Sequence, residues 1–429
     1  MPEDLISTTI PAETSAMIQA MTREDQLCLL LARGQLTPEV RKRILEFLAT
    51  SLQWPEVLER AYSHQVYPLL YRNLRDLGFP GVPDAVQAEL KGAFRANAFR
   101  NKLLAEELAG LLGLLSKGGI RIIPLKGITL ANSLYGDPAC RVCADIDILV
   151  TPDQVPQALD LILASGYRDD FRDPFFSKLV LRHGRHYDLV RDERGVSFPL
   201  ELHWKLVQHS SRNDDAVKDL WAAARPKAFF GAPAFSLDPE WEFLYLSIHA
   251  TDHEWESLKW LVDIHQIASS GSIDWQKVMQ KAEQLDLDLI IRQTLTACSL
   301  VLGTPLPAGY YPATLPAGVR LFPHVPFPGG SPETAFAFRH LRVLRRPLDK
   351  LHYIATVLLV PRLTDRDFLR LPSFLSFLYY FIRPLRLVRK WIFRLAVHIF
   401  QNRLMDAGEQ REVAREGEAV KEGQRSDSA

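Results

Sequence analysis

PLKGITLANSLYGDPACRVCADIDILV, residues 124–150, decides how the chain is read. Just before it, a helical pattern over 84–117 carries Leu103, Leu104, Leu108, Leu111, Leu112 and Leu115 on one side and stops at Gly118-Gly119. The pattern then changes. Ile120–Pro124 is a short β-rich run, and Ile128–Leu134 forms one helical stretch. Asp145–Val150 alternates acid and aliphatic at period two, as a strand buried on one face does. Thr151-Pro152-Asp153 reads as a helix start, with Ala158, Leu159, Ile162 and Leu163 as its apolar face. Two further strands are predicted at 185–191 and 196–203, joined by the turn-like run 192–195, DERG. Strand, helix, strand, helix and hairpin make an α+β fold with an α/β core, a mixed sheet flanked by helices.

Outward from this core the chain is predicted to divide into disordered residues 1–20, an N-terminal helical region 21–117, the sheet domain 118–215 and a helical domain 216–302. A Pro/Gly-rich connection, 303–333, then leads to basic C-terminal helices at 334–405 and a disordered tail at 406–429. With 429 residues, two or three domains are expected. Lys plus Arg equals Asp plus Glu at 51 each, so overall charge points to no polyanionic partner and any such preference is local. Four scattered cysteines exclude a disulfide framework. The N-terminal run lacks a basic, then apolar, secretory pattern, and no segment has the ~20 apolar residues of a membrane span. A cytoplasmic protein is the expectation.

The chemistry is predicted to sit at Asp145-Ile146-Asp147. Residues i and i+2 of a strand share a face, so both carboxylates converge while Ile146 enters the core. Two carboxylates at that spacing suit divalent metal, Mg²⁺ or Mn²⁺, held together with substrate phosphates. A third carboxylate on a neighbouring strand completes a clamp for nucleotidyl transfer. Glu201 in LELH (200–203) is the first candidate, sharing a face with His203, and Asp188 is held in reserve. Upstream, Lys126-Gly127 lies between a strand and a helix, where glycine lets phosphate oxygens approach N–H groups at a helix N-terminus.

These residues resemble the uncharacterised bacterial branch of the polymerase-β-like nucleotidyltransferases. The shared pattern is Leu125-Lys126-Gly127, Tyr135 with Asp137-Pro138, Arg141, and Asp145-Ile-Asp147-Ile-Leu-Val150. It extends to residues 200–206, 247–268 and 61–74. The family's usual glycine-serine pair is Gly127-Ile128 here, preceded by Lys126. The resemblance implies a metal-dependent enzyme that uses a nucleoside triphosphate. It would pass the nucleoside monophosphate to an acceptor: a small molecule, a protein side chain or RNA. On this basis Asp145, Asp147 and Glu201 are expected as catalytic metal ligands. Gly127 would meet the triphosphate, and Lys126, Arg141 and Lys259 would neutralise its charge. A non-catalytic scaffold on the same fold is the rival.

Other features are weaker. Cys140 and Cys143 lack a second pair and are expected to be incidental. His249, His253, Trp255, Trp260 and Asp263 are expected to line the cleft with Lys259, with ordinary aromatic packing equally open for the tryptophans. Between Arg339 and Arg394, 13 basic residues outnumber 3 acidic ones. Arg383, Arg386, Arg389, Lys390 and Arg394 alternate there with Phe381, Leu385, Trp391 and Phe393. That leaves open a peripheral membrane contact, a polyanion-binding face, or a terminal helix that packs its aromatics and leaves its arginines wet.

Overall fold

The structure, a computed structural model, describes residues 21–169, 173–206, 212–253, 255–310, 320–322, 325–326, 344 and 346–389. The expectations for 1–20 and 406–429, most of 303–343, and Lys390, Trp391, Phe393 and Arg394 therefore lie outside the described residues. The chain forms two compact units, 1–172 with 180–350, and 173–179 with 351–429.

The first unit begins with four helices, α1 (Arg23–Leu31), α2 (Pro38–Leu48), α3 (Trp54–Ser63) and α4 (Tyr67–Asp76). Their starts follow from local chemistry. Thr22 and Asp25 form a reciprocal cap on α1, and Thr37 with Pro38 opens α2. Buried Asp25 also holds Arg60 of α3 at 3.0 Å, tying the first and third helices. Helix α5 (Asp84–Lys117) has 34 residues, a rod about 50 Å long. It buries Leu104, Leu108, Leu111, Leu112 and Leu115, close to the stripe read from the sequence.

Next come β1 (Ile122–Pro124), α6 (Gly127–Tyr135), β2 (Ile146–Val150), α7 (Val155–Ala164), β3 (Arg168–Asp169), α8 (Pro174–His183), β4 (His186–Glu193) and β5 (Val196–His203). The five strands form a mixed sheet in the order β1-β2-β5-β4-β3. Only the β2–β5 pair is parallel. Asp147 faces Glu201 across that pair, and Glu201 faces Asp188 across β4–β5. Directly paired residues share a sheet face, so register alone lines these three acids in a row. The β4–β5 turn, Arg194-Gly195, has φ of 50° and 79°, as a two-residue hairpin requires.

After α9 (Asn213–Ala223), the segment expected to be helical contains a hairpin, β6 (Arg225–Phe229) and β7 (Ala232–Ser236). Its turn, Phe230-Gly231, again takes positive φ at both positions. Pro226, Pro233 and three alanines dilute the strand signal, which hid the hairpin in the sequence. Helices α10 (Pro239–Asp252), α11 (Leu258–Ser269), α12 (Trp275–Gln284) and α13 (Asp288–Leu302) follow near the predicted positions. Asp238 caps α10 and Asp274 caps α12, while Gly303 ends α13 in the left-handed conformation. Strands β8 (Arg320–Phe322) and β9 (Val325–Pro326) pair within the Pro/Gly-rich stretch. Helices α14 (Pro347–Leu359) and α15 (Leu363–Phe368) precede helical residues 379–389.

The second unit has its own small core of Phe176, Leu179 and Tyr379, packed by Val360, Leu363, Leu371 and Ile382. Arg383 is not a wet arginine. It is 2% exposed and pairs at 3.1 Å with fully buried Asp365, which Arg386 also holds. Phe374, Phe377, Phe381 and Leu385 face solvent. No helix among the described residues is long and apolar enough to cross a membrane.

Helix α5 fixes the loop that leads into β2. Asn97 Nδ2 donates to the carbonyls of Ala139 and Arg141 at 2.8 and 3.1 Å. Asn101 Nδ2 donates to those of Pro138 and Arg141 at 2.6 and 2.8 Å. Asn101→Ala strips two buried carbonyls of a donor, so chemical denaturation should read a loss of about 1–3 kcal/mol. An unchanged midpoint would show that the loop holds without this clamp.

Candidate functional site

Asp145, Asp147 and Glu201 come together. One carboxylate oxygen from each lies within 4.8 Å of the others. Asp147 is buried in β2, and Asp145 stands one residue before that strand with its side chain 29% exposed. Ile146 between them is buried, as period-two geometry demands. Asp188 shares the row but lies a strand farther out, about 5 Å beyond Glu201 by strand spacing. It meets His186 at 3.4 Å instead.

The Lys126-Gly127 step is built for close approach to these acids. Leu125 N–H donates to Asp147 O at 2.9 Å, stitching the loop to β2. Lys126 then adopts φ 20° and Gly127 φ 59°, values that suit glycine and strain a lysine. Helix α6 starts there, so its N-terminal amides and the lysine lie next to the carboxylates. Lys126 Nζ is 3.0 Å from Asp147 Oδ2 and 3.3 Å from Asp145 Oδ2. Burial opposes its charge, but Asp147 and Asp145 outweigh burial and hold its pKa above the usual lysine value.

His203 has a role that the sequence did not assign. Its Nε2 lies 3.2 Å from Asp147 Oδ1 and 3.0 Å from Glu201 Oε2. Burial works against its proton, yet the hydrogen bonds to Asp147 and Glu201 raise its pKa. Burial likewise works to raise Glu201, but His203, Lys126 and His186 hold its carboxyl well below the usual range. The neighbouring His186 is pushed down to about 4 by burial and by His203. Tyr245 of α10 is buried in the field of Asp147, Lys126 and Glu201. The signal for His203 was its placement two residues after Glu201 on the same strand face.

Arg141 and Lys259 stand elsewhere. Arg141 is 4% exposed and donates from Nε to Asp263 Oδ2 at 2.9 Å, while Tyr135 Oη donates to Asp263 Oδ1 at 2.7 Å. Asp263 belongs to α11, so this buried triad locks α6, the loop before β2 and α11 together. Lys259 Nζ donates to Val142 O at 3.2 Å and to Gln65. Burial and the charge of Arg141 push it down to about 8. Its position is set by His64, whose carbonyl accepts from Ser257 Oγ and from Lys259 N–H. Neither cation pairs with Asp145, Asp147 or Glu201; both hold the backbone just before Asp145. His249, His253 and Trp260 form an aromatic group with ring centres 4.7–5.3 Å apart, and Trp255 is core. Cys140 and Cys143 are buried free thiols that accept weak contacts from Arg72 and Arg141.

Hard oxygen donors at this spacing suit Mg²⁺ or Mn²⁺, and Asp147 Oδ2 is buried without a hydrogen-bond partner despite its ion pair. The residues present therefore fit a divalent cation. Lys126→Met would leave Asp145 without its ion pair and buried Asp147 with His203 alone, which should cost about 3–5 kcal/mol of stability in chelator. Mn²⁺ should then raise the melting temperature of the variant more than that of the wild type. Equal shifts would show that the lysine and the ion do not share these acids.

Residues 50–303 match the family model described as "Uncharacterised nucleotidyltransferase", a span containing every site residue named above. Among solved structures, the chain is similar to an antigenic nucleotidyltransferase-like protein from Paracoccidioides brasiliensis. Identity is 18% over 47% of this chain and 93% of that one, with a TM-score of 0.32. No curated protein matches. With more than half of its length under that model, the chain belongs to the uncharacterised nucleotidyltransferase family.

Proposed function

We propose that this protein transfers a nucleoside monophosphate from a nucleoside triphosphate to an acceptor, releasing pyrophosphate, as a polymerase-β-like nucleotidyltransferase does. The convergence of Asp145, Asp147 and Glu201 on one sheet face carries this reading. Those three would hold Mg²⁺ or Mn²⁺, which when bound supplies charge neutralisation for the phosphates and the leaving group. The rest falls to the chain's own side chains. The α6 N-terminus and Gly127 give phosphate oxygens access to backbone N–H groups, with the helix dipole in favour. Lys126, already beside the acids, supplies the cation nearest to the incoming phosphates. Glu201, kept ionised by His203 and Lys126, is available to take the proton of an acceptor hydroxyl. The Asp263 triad and Lys259 keep the loop carrying Asp145 in register, which preserves the geometry on which in-line transfer depends.

The acceptor is a small molecule, a protein side chain or RNA. Four buried free thiols support placement in the reducing cytoplasm. A second reading, peripheral membrane contact by the C-terminal helices, is favoured by exposed Phe374, Phe377, Phe381 and Leu385. Co-sedimentation with anionic liposomes decides it, because a protein left entirely in the supernatant has no such contact.

Asp147→Asn removes charge with little change in volume. Pyrophosphate release from radiolabelled triphosphates in the presence of Mg²⁺ and cell extract should fall by about 10²–10³ or more. Circular dichroism should stay native-like. Turnover equal to wild type would sink the catalytic reading and leave the non-catalytic scaffold.

A further inference from the structure

Beside the carboxylates, the hairpin β6–β7 and helix α10 enclose a cavity of about 220 Å³ against the start of α6. Lys126 belongs to its wall and pairs with Asp145 and Asp147, so the cavity adjoins the reacting centre. A larger cavity of about 550 Å³, between α5 and the β4–β5 hairpin, includes none of Lys126, Asp145, Asp147 or Glu201.

Glu242 distinguishes the smaller cavity. It lines the wall one helical turn before Tyr245 and is partly buried, and its carboxylate makes no hydrogen bond or ion pair with any described residue. Burial pushes its carboxyl up to about 7, and Lys227 pulls the other way without reaching contact. A partly buried acid without a protein partner is left to pair with whatever enters the cavity beside it. Packing does not call for it, since glutamine would fill the same space. Lys227 lies 5.0 Å from the ring of Phe229, and both residues also line the cavity. The wall thus offers one carboxylate without a protein partner, a flat apolar ring and a cation close to the triphosphate site, a pattern of few polar groups among apolar ones that small-molecule pockets share.

We propose that this cavity recognises an N–H-donating group, an amine or an amino-substituted ring, with Glu242 accepting its hydrogen bond and Phe229 covering its apolar face. The location rests on the nucleotidyl-transfer reading, and either substrate of that reaction can carry such a group. On the triphosphate it is the amino edge of a base; on the acceptor it is an amine.

Two ligand pairs that differ in one amino group separate the sources. Equilibrium binding with Mg²⁺ compares GTP with inosine triphosphate, and glucosamine with glucose. Wild-type protein is expected to favour the amino member of at least one pair by about ten-fold or more, as one hydrogen bond to a carboxylate supplies. Glu242→Gln should reduce that ratio below about three-fold and leave the affinity for the other member unchanged. Preference within the triphosphates assigns the pocket to the base, and preference within the sugars assigns it to the acceptor. No amino preference in either wild-type pair, or one that survives Glu242→Gln, overturns the proposal. Glu242→Gln should melt no lower than wild type at pH 8, because it removes an unpaired charge. If it fails to fold, the wild-type ratios and an intermediate ratio in Glu242→Asp still decide. Absence of any Mg²⁺-dependent triphosphate binding would count instead against the nucleotidyl-transfer reading, and the sugar pair then tests the pocket alone.

Discussion

Three carboxylates within 4.8 Å repel one another, and the surrounding structure is arranged to tolerate that repulsion. Lys126 supplies one positive charge against three carboxylates, and His203, whose pKa Asp147 and Glu201 raise, can add at most one more, so the face of the sheet stays net negative. A folded chain that keeps such a deficit favours whatever cation can reach it. It also explains why the pKa values of so buried a lysine and histidine are raised against the cost of leaving water.

Holding the acids together requires a rigid frame on every side. Sheet register sets Asp147 against Glu201. The Leu125 amide and the left-handed step at Lys126-Gly127 bring α6 to the same place. Behind them, Asp263 gathers Tyr135 and Arg141, and α5 clamps the intervening loop through Asn97 and Asn101. Each of these contacts joins segments far apart in the chain. The long rod α5, the N-terminal helices and the helices after the sheet therefore act as one scaffold for a few strand residues.

Charge in this unit is placed with different intent at different points. Around the acids it is met by direct pairs to Lys126 and His203, though not in full. At Glu242 it is left uncompensated, facing a cavity that adjoins the same centre. Unpaired acids inside a wall are rare because they are costly, which makes the contrast between these two neighbouring sites informative.

The sequence by itself determined the local grammar. Period-two alternation placed Asp145 and Asp147 on one face of β2, and leucine periodicity and a double glycine bounded α5. These signals depend only on residues within a turn or a strand of one another, so they survive without knowledge of the fold. Only the tertiary structure decided which partner each charged group takes. Glu201 rather than Asp188 joins the aspartates because β2 pairs with β5 in parallel, and strand order is a long-range choice that no local pattern encodes. For the same reason Arg141 and Lys259 join α11 and the loop before β2, while His203 became the clamp on the acids. A side chain's charge is written in the sequence, but its partner is set by which surfaces the fold brings within about 4 Å, where pairing outweighs solvation.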